Sequence, residues 1–307
     1  MRTLIAIAIG LMMLVSAAAA TGTGNDICVE VDAETEDNCI VGVDVAQVTQ
    51  VSSYVFGCDN DVYQDMDLNI KYNDLVGGVM DKWPDTVSQV GVMVGNATGD
   101  DNCIDQEMDL DIFDNCLTEG NITQAAAQKA DAIGCWNEID QETEVEAEWN
   151  SVVKSNLMQV SSIVGCAVGT DNEIDEEVDQ EAEWNCLVKS ALYQEAALDA
   201  NLFGCDNYAE LEAEEEAEDN SLTYSMLKQI ICVEADLIGD DNCVEVEAEL
   251  EAEENCMVDS YMLQSISSFA ETLGCWNNIE QDIELETERN SVVSGKIVQS
   301  ATVKSNA

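Results

Sequence analysis

Between Asn242 and Asn255 an acidic side chain falls at nearly every second position. Glu245, Glu247, Glu249 and Glu251 stand on one side of an extended chain, and Glu212, Glu214 and Glu216 form the same pattern one unit earlier. Hard cations such as Ca²⁺ take six to eight oxygen ligands, so carboxylates at this spacing offer diffuse cation binding. The other reading is a solvated face that keeps sheets from pairing wrongly. No EF-hand loop or glycine-rich calcium-binding repeat defines a discrete cage. The chain carries 64 acidic and 10 basic residues, no histidine and a net charge of −54. Phosphate backbones need clustered Lys and Arg, so nucleic acid is disfavoured as a partner, and anionic membrane surfaces with it. Without histidine, imidazole acid–base and metal chemistry is excluded. Carboxylate pairs abound because acids abound, and neither a phosphate loop nor a nucleophile elbow occurs. The sequence gives no reason to expect an enzyme.

Regular elements must position such acids, and the sequence supplies them by repetition. Asn recurs at Asn25, Asn60, Asn102, Asn137, Asn172, Asn207, Asn242 and Asn277. A second series follows each by thirteen residues: Asn38, Asn73, Asn115, Asn150, Asn185, Asn220, Asn255 and Asn290. Gln recurs at Gln47, Gln89, Gln124, Gln159, Gln194, Gln229, Gln264 and Gln299, and a Gly precedes each first Asn by three. The step is 35 residues except once, where it is 42. The extra seven residues place a loop near 77–88, holding the single proline, Pro84. GCWNEIDQETEVEAEWNSVV in unit four matches GCWNNIEQDIELETERNSVV in unit eight, which points to duplication of a four-unit block.

Between paired Asn residues the apolar and acidic positions alternate with period two, as across a strand. The second half of each unit also suits a strand, although AAAQKADAIG and QEAALDANLFG are compatible with helix. The expected fold is all-β: eight units of about 35 residues, each strand, Asn turn, strand, Gly turn, forming a β-solenoid or stacked β-arches. In a parallel stack, equivalent residues lie about 4.8 Å apart. Asn then meets Asn and Gln meets Gln, which removes the cost of burying the amides. Stacked carboxylates would repel by about 1 kcal/mol per pair in a water-like dielectric. Protonation, bound cations or an antiparallel meander would each relieve this.

A strand–turn–strand unit with repeating Asn and Gln resembles functional-amyloid subunits of the curlin kind, although the spacing here is longer. Together with the acidity and 13 cysteines, it is similar in general character to the sheath proteins of filamentous methanogenic archaea. That resemblance implies a subunit of a tough extracellular tube.

Residues 1–20, MRTLIAIAIGLMMLVSAAAA, form a candidate secretory signal. Residues 21–307 then make one β-repeat domain without a helical membrane span. Cys39, Cys116, Cys186 and Cys256 follow the second Asn in odd units, while Cys58, Cys135, Cys205 and Cys275 follow the corner Gly in even units. Two schemes remain open: crosslinks between opposite edges of neighbouring copies, or intrachain staples in which Cys103 and Cys243 bond the corner series. Asn96 and Asn121 match the glycan-acceptor pattern. Trp136, Trp149, Trp184 and Trp276 adjoin the Asn corners, where packing of the corner is expected and stacking on sugars is the alternative. The expected function is self-assembly into an extracellular sheath, fibre or surface layer, with the chain itself and related subunits as partners. The alternative is a calcium-binding secreted adhesin or a closed β-barrel-like binding protein.

Overall fold

The computed structural model describes residues 12–24, 26–36, 39–41, 45–71, 74–76 and 85–306. These residues form strands and corners, with no helix among them. One rung shows the plan. The acidic strand Glu173–Glu183 ends at a corner, Trp184–Asn185. The short strand Cys186–Val188 and a second corner, Lys189–Ser190, follow. The long strand Ala191–Cys205 then leads to a third corner at Asp206–Asn207. Each unit therefore turns three corners, not the two expected from the sequence. The short third side is only three residues long, too brief for its alternation to stand out from the long strand that follows it.

Equivalent strands of successive rungs pair in parallel, giving a nine-stranded long sheet, an eight-stranded acidic sheet and an eight-stranded short sheet. Gln159 faces Gln194, Glu181 faces Glu216, and Cys186 faces Ser221. This is a β-solenoid. Its sheets run open from first strand to last rather than closing, so neither the antiparallel meander nor the barrel holds. The candidate helical segments are long strands, Gly120–Cys135 and Ala191–Cys205. Register also locates the insertion. Cys39 faces Asp74, whereas Val45 faces Val87, so the added residues fall between Val76 and Asp85. Residues 77–84, Pro84 included, lie outside the described residues, as do Asn25, Asn38 and Asn73. Of the expected signal segment, Met12–Ala20 falls within the strand Met12–Thr23, which pairs with Val45–Cys58.

Alternation sorts the side chains. Along Glu173–Glu183, Ile174, Glu176, Val178, Gln180 and Ala182 turn inward and the remaining acids face outward. Along the facing long strand, Leu192, Gln194, Ala196, Leu198, Ala200 and Leu202 point inward. Stacking repeats these contacts rung after rung, so Ile139, Ile174, Ala209 and Val244 share one core with Ala167, Leu202 and Leu237. No single rung could bury that face alone.

The corner conformation falls on the residue before each Asn rather than on the Asn. Trp136, Asp171 and Asp206 have φ of 58°, 55° and 57°; Trp149 and Trp184 have 56° and 53°. A side chain at such a position projects away from the coil. This is why the tryptophans do not pack the corners: Trp276 is 83% exposed, and Trp149 stacks on Trp184 outside the fold, ring centres 5.1 Å apart. Gly fills a different need. Gly204 has φ 136°, and a Cβ there would lie 1.7 Å from the Gly169 carbonyl oxygen of the rung before.

Candidate functional site: amide ladders and a carboxylate grid

At the corner between the long strand and the next acidic strand, each Asn side chain turns inward and joins its neighbours along the stack. The Nδ2 of Asn137 donates to Asn172 Oδ1 at 3.0 Å, and Asn172 to Asn207 likewise at 3.0 Å. The same oxygens accept the backbone N–H of the preceding Asn, at 3.1 Å in both cases. The chain of amides runs from Asn60 through Asn102 to Asn242 and Asn277. The second series divides its groups differently. Oδ1 of Asn150, Asn185, Asn220, Asn255 and Asn290 accepts the backbone N–H of the Asn one rung earlier. Their Nδ2 donates to a backbone carbonyl, as Asn185 does to Ala147 at 2.6 Å. Asn115, the first of this series among the described residues, donates to Ile70 O at 3.0 Å.

A serine ladder at the corner the sequence reading passed over does equivalent work. Ser190 Oγ donates to Val152 O at 3.0 Å and accepts the Ser155 N–H at 3.3 Å; Ser225 and Ser260 repeat the pattern. Its signal was available, because Ser155, Ser190, Ser225 and Ser260 recur at the same period.

The Gln series crosses the core as well as climbing it. Gln47, Gln89 and Gln124 are linked amide to amide at 3.2 Å, and Gln229, Gln264 and Gln299 at 3.1 and 3.0 Å. Gln159 and Gln194 instead aim Nε2 at the acidic sheet, donating to the carbonyls of Val145 and Gln180, both at 2.7 Å. A strand carbonyl has a second lone pair to offer, so these side chains rivet the two sheets together.

Two glutamates lie inside the core. Glu176 follows Gln106 and Gln141 in an inward column, and Glu215 follows Gln180. Glu215 Oε1 accepts the Ala196 N–H at 3.0 Å. Burial lifts both carboxyls well above the ordinary carboxylate range, more than the backbone amides near them lower it. Each glutamate has an oxygen without a partner, and so does the Gln one rung before it: Gln141 Oε1 beneath Glu176, Gln180 Oε1 beneath Glu215. A protonated carboxyl continues an amide ladder, because its O–H donates where the next Gln would donate N–H. Gly165 makes the room, since a Cβ there would lie 2.5 Å from Glu176 Oε1.

Outside, the acidic sheet carries a grid. Glu146, Glu181, Glu216, Glu251 and Glu286 occupy successive rungs of one column, and Glu142, Glu177, Glu212, Glu247 and Asp282 another. Glu214 and Glu249 lie in a third column, and Glu245 in a fourth. Rungs are about 4.8 Å apart and same-face residues on a strand about 6.6 Å apart. Partial burial, then neighbouring acids, pushes Glu216 up to about 8 and Asp179 up to about 7. Glu212, Glu249 and Glu251 are raised for the same reasons. Among the described residues, two triads bring carboxylate oxygens within 4.8 Å of one another: Glu146, Glu148 and Glu181, and Glu183, Glu216 and Glu218. Three carboxylates at that distance, with water completing the shell, suit Ca²⁺. Of the acids singled out from sequence, only Glu216 belongs to a triad.

All cysteines with described side chains are free thiols, so no intrachain staple is formed among them, and Cys103 and Cys243 bond none of the corner series. Burial and adjacent acids push the Cys103 thiol up to about 11. Asn96 and Asn121 lie half-buried on long strands rather than on loops, and Asn121 Oδ1 accepts the Asn156 N–H at 3.2 Å.

These features define a parallel β-solenoid held by Asn, Gln and Ser ladders. Comparison with known proteins returns no match: no family model, no curated protein and no solved structure is similar to the chain.

Proposed function

We propose that the chain is a structural subunit that assembles into an extracellular sheath, fibre or surface layer, stacking rung on rung and crosslinking through cysteines at its edges. One observation carries this reading: equivalent positions of successive rungs meet in parallel register, with Asn on Asn at the corners and Gln on Gln in the core. A rung built this way offers on one edge the groups that its other edge accepts, so a second copy satisfies a terminal rung as well as an internal neighbour does. Open sheet edges template such pairing. Secretion through residues 1–20 belongs to this reading. Removal of that segment would take most of the strand Met12–Thr23 and open the edge of Val45–Cys58. The acid triads support a second reading, a calcium-stabilised secreted adhesin.

Purified mature protein, concentrated without denaturant, separates the two. Fibres or layers giving a reflection near 4.8 Å along the stack and one near 10 Å across it are expected. A protein that stays monomeric at every concentration, with melting governed by Ca²⁺, would refute assembly and support the adhesin.

A further inference from the structure

Eight cysteines form two straight columns, and neither column can satisfy itself. On the short sheet Cys116, Cys186 and Cys256 are exposed, with Ser151 and Ser221 on the rungs between them; Cys39 holds the same register position below Asp74. At the Gly corner, Thr170 separates Cys135 from Cys205. Asp100 stands one rung before Cys135 and Asp240 one rung before Cys275, and each accepts the backbone N–H of that cysteine. Within a column, cysteines are therefore two rungs, about 9.6 Å, apart, beyond the roughly 7 Å Cα separation a disulfide spans. Between columns lies the acidic strand of 11 residues, about 36 Å long.

The columns match each other in pitch and lie on the same rungs: the rung that carries Cys186 on its short side ends its long strand at Cys205, as that of Cys116 ends at Cys135. Each also has an apolar flank two residues away. Beside the Gly-corner cysteines run Ile133, Val168, Phe203, Ile238 and Leu273, one per rung and 37–68% exposed. Beside the short-sheet cysteines run the half-buried Val153, Val188 and Val258.

We infer that the partner of each column is the opposite column of a second copy, lying side by side with the first and level with it along the stack. This rests on the assembly proposed above and specifies its lateral contact. That alignment brings like rungs together and pairs all four cysteines: Cys39 with Cys58, Cys116 with Cys135, Cys186 with Cys205, and Cys256 with Cys275, each between two chains. Displacement by one rung pairs none, and displacement by two rungs pairs three. The contact is head-to-tail and leaves a free column on each copy, so it propagates. Each bond forms by exchange with a low-molecular-weight disulfide. A thiolate attacks the small disulfide and expels one thiol; the second protein thiolate then displaces the other. Two protein thiols are oxidised, two small thiols are produced, and one S–S bond replaces another.

The test uses two variants of the mature chain, Cys39, Cys116, Cys186 and Cys256 all to Ser, and Cys58, Cys135, Cys205 and Cys275 all to Ser, oxidised with glutathione disulfide. Alone, each variant is expected to form none of the four bonds; mixed, they form covalent pairs joining one variant to the other. Crosslinks between like columns in either variant alone would overturn the inference. As a check independent of how the variants fold, equal parts of ¹⁵N-labelled and unlabelled wild chain are oxidised and digested. Half of each Cys116–Cys135 and Cys186–Cys205 peptide pair is expected to carry mixed labels; pairs never mixed would be intrachain and would overturn it. Wild chain that assembles without these bonds overturns the lateral contact and leaves the structural role standing. Wild chain that never assembles removes both.

Discussion

Glu176 and Glu215 should make this fold stronger in acid than at neutral pH. Both are fully buried, and burial raises their folded pKa well above the ordinary 4.5. The folded state therefore binds more protons than the unfolded one over the interval between the two values. Stability is then fully present below the unfolded pKa and falls as pH rises towards the folded one. Each proton retained on folding costs about 1.4 kcal/mol per pH unit, so the two together cost about 2.7 kcal/mol per unit while both remain protonated. Against the about 5–15 kcal/mol of a typical domain, a slope of that size is readily measured. The acid grid adds a slope of the same sign, since Asp109, Asp179, Glu146 and Glu216 are also raised. The double variant Glu176→Gln, Glu215→Gln isolates the buried pair. Gln is nearly isosteric with a neutral Glu, and its N–H can donate to Gln141 Oε1 and Gln180 Oε1. Guanidinium unfolding of reduced protein, followed by far-UV circular dichroism between pH 5 and 8, should show the wild chain losing ground to the variant as pH rises, by no more than about 2.7 kcal/mol per unit. Curves that stay parallel across this range would refute a protonated pair completing the ladders.

The Asn ladder makes a sharper local claim. Asn172→Ala removes the acceptor for two donors, Asn137 N–H and Nδ2, inside the core. A cost of about 2–4 kcal/mol is expected from the denaturation midpoint, against under 1 kcal/mol for Asp171→Asn beside it, which keeps a residue tolerant of positive φ. Bound Ca²⁺ at the triads would offset repulsion among the acids. Melting at pH 7.5 should therefore rise with Ca²⁺ and fall with chelation, more than equal ionic strength of Na⁺ can account for. Glu216→Gln with Glu183→Gln should weaken the response; an unchanged response would remove the triad as its source.

Much of this architecture is legible in the residues. Alternation between paired asparagines marks the acidic strands, because acids and apolar residues have opposite preferences for water. The fixed Asn and Gln register marks stacking, since a buried amide is tolerated only where a partner recurs. The inserted loop shows as a break in period. Subtler elements are not legible in the same way. The three-residue side Cys186–Val188 and the corner at Lys189–Ser190 carry little hydrophobic contrast, and the tryptophans look like core residues until the corner backbone turns them outward.

The sequence by itself determined the repeat, its length and the alternation of its acidic strands, because composition and periodicity act within one rung. Tertiary structure alone decided that strands pair in parallel, that Glu176 and Glu215 are stranded in a dry column beside orphaned amide oxygens, and that the two cysteine series share the same rungs. The physical reason is that these properties belong to the spacing between rungs. A 4.8 Å separation along the stack joins residues 35 apart in the chain, and no local preference encodes which neighbour they meet.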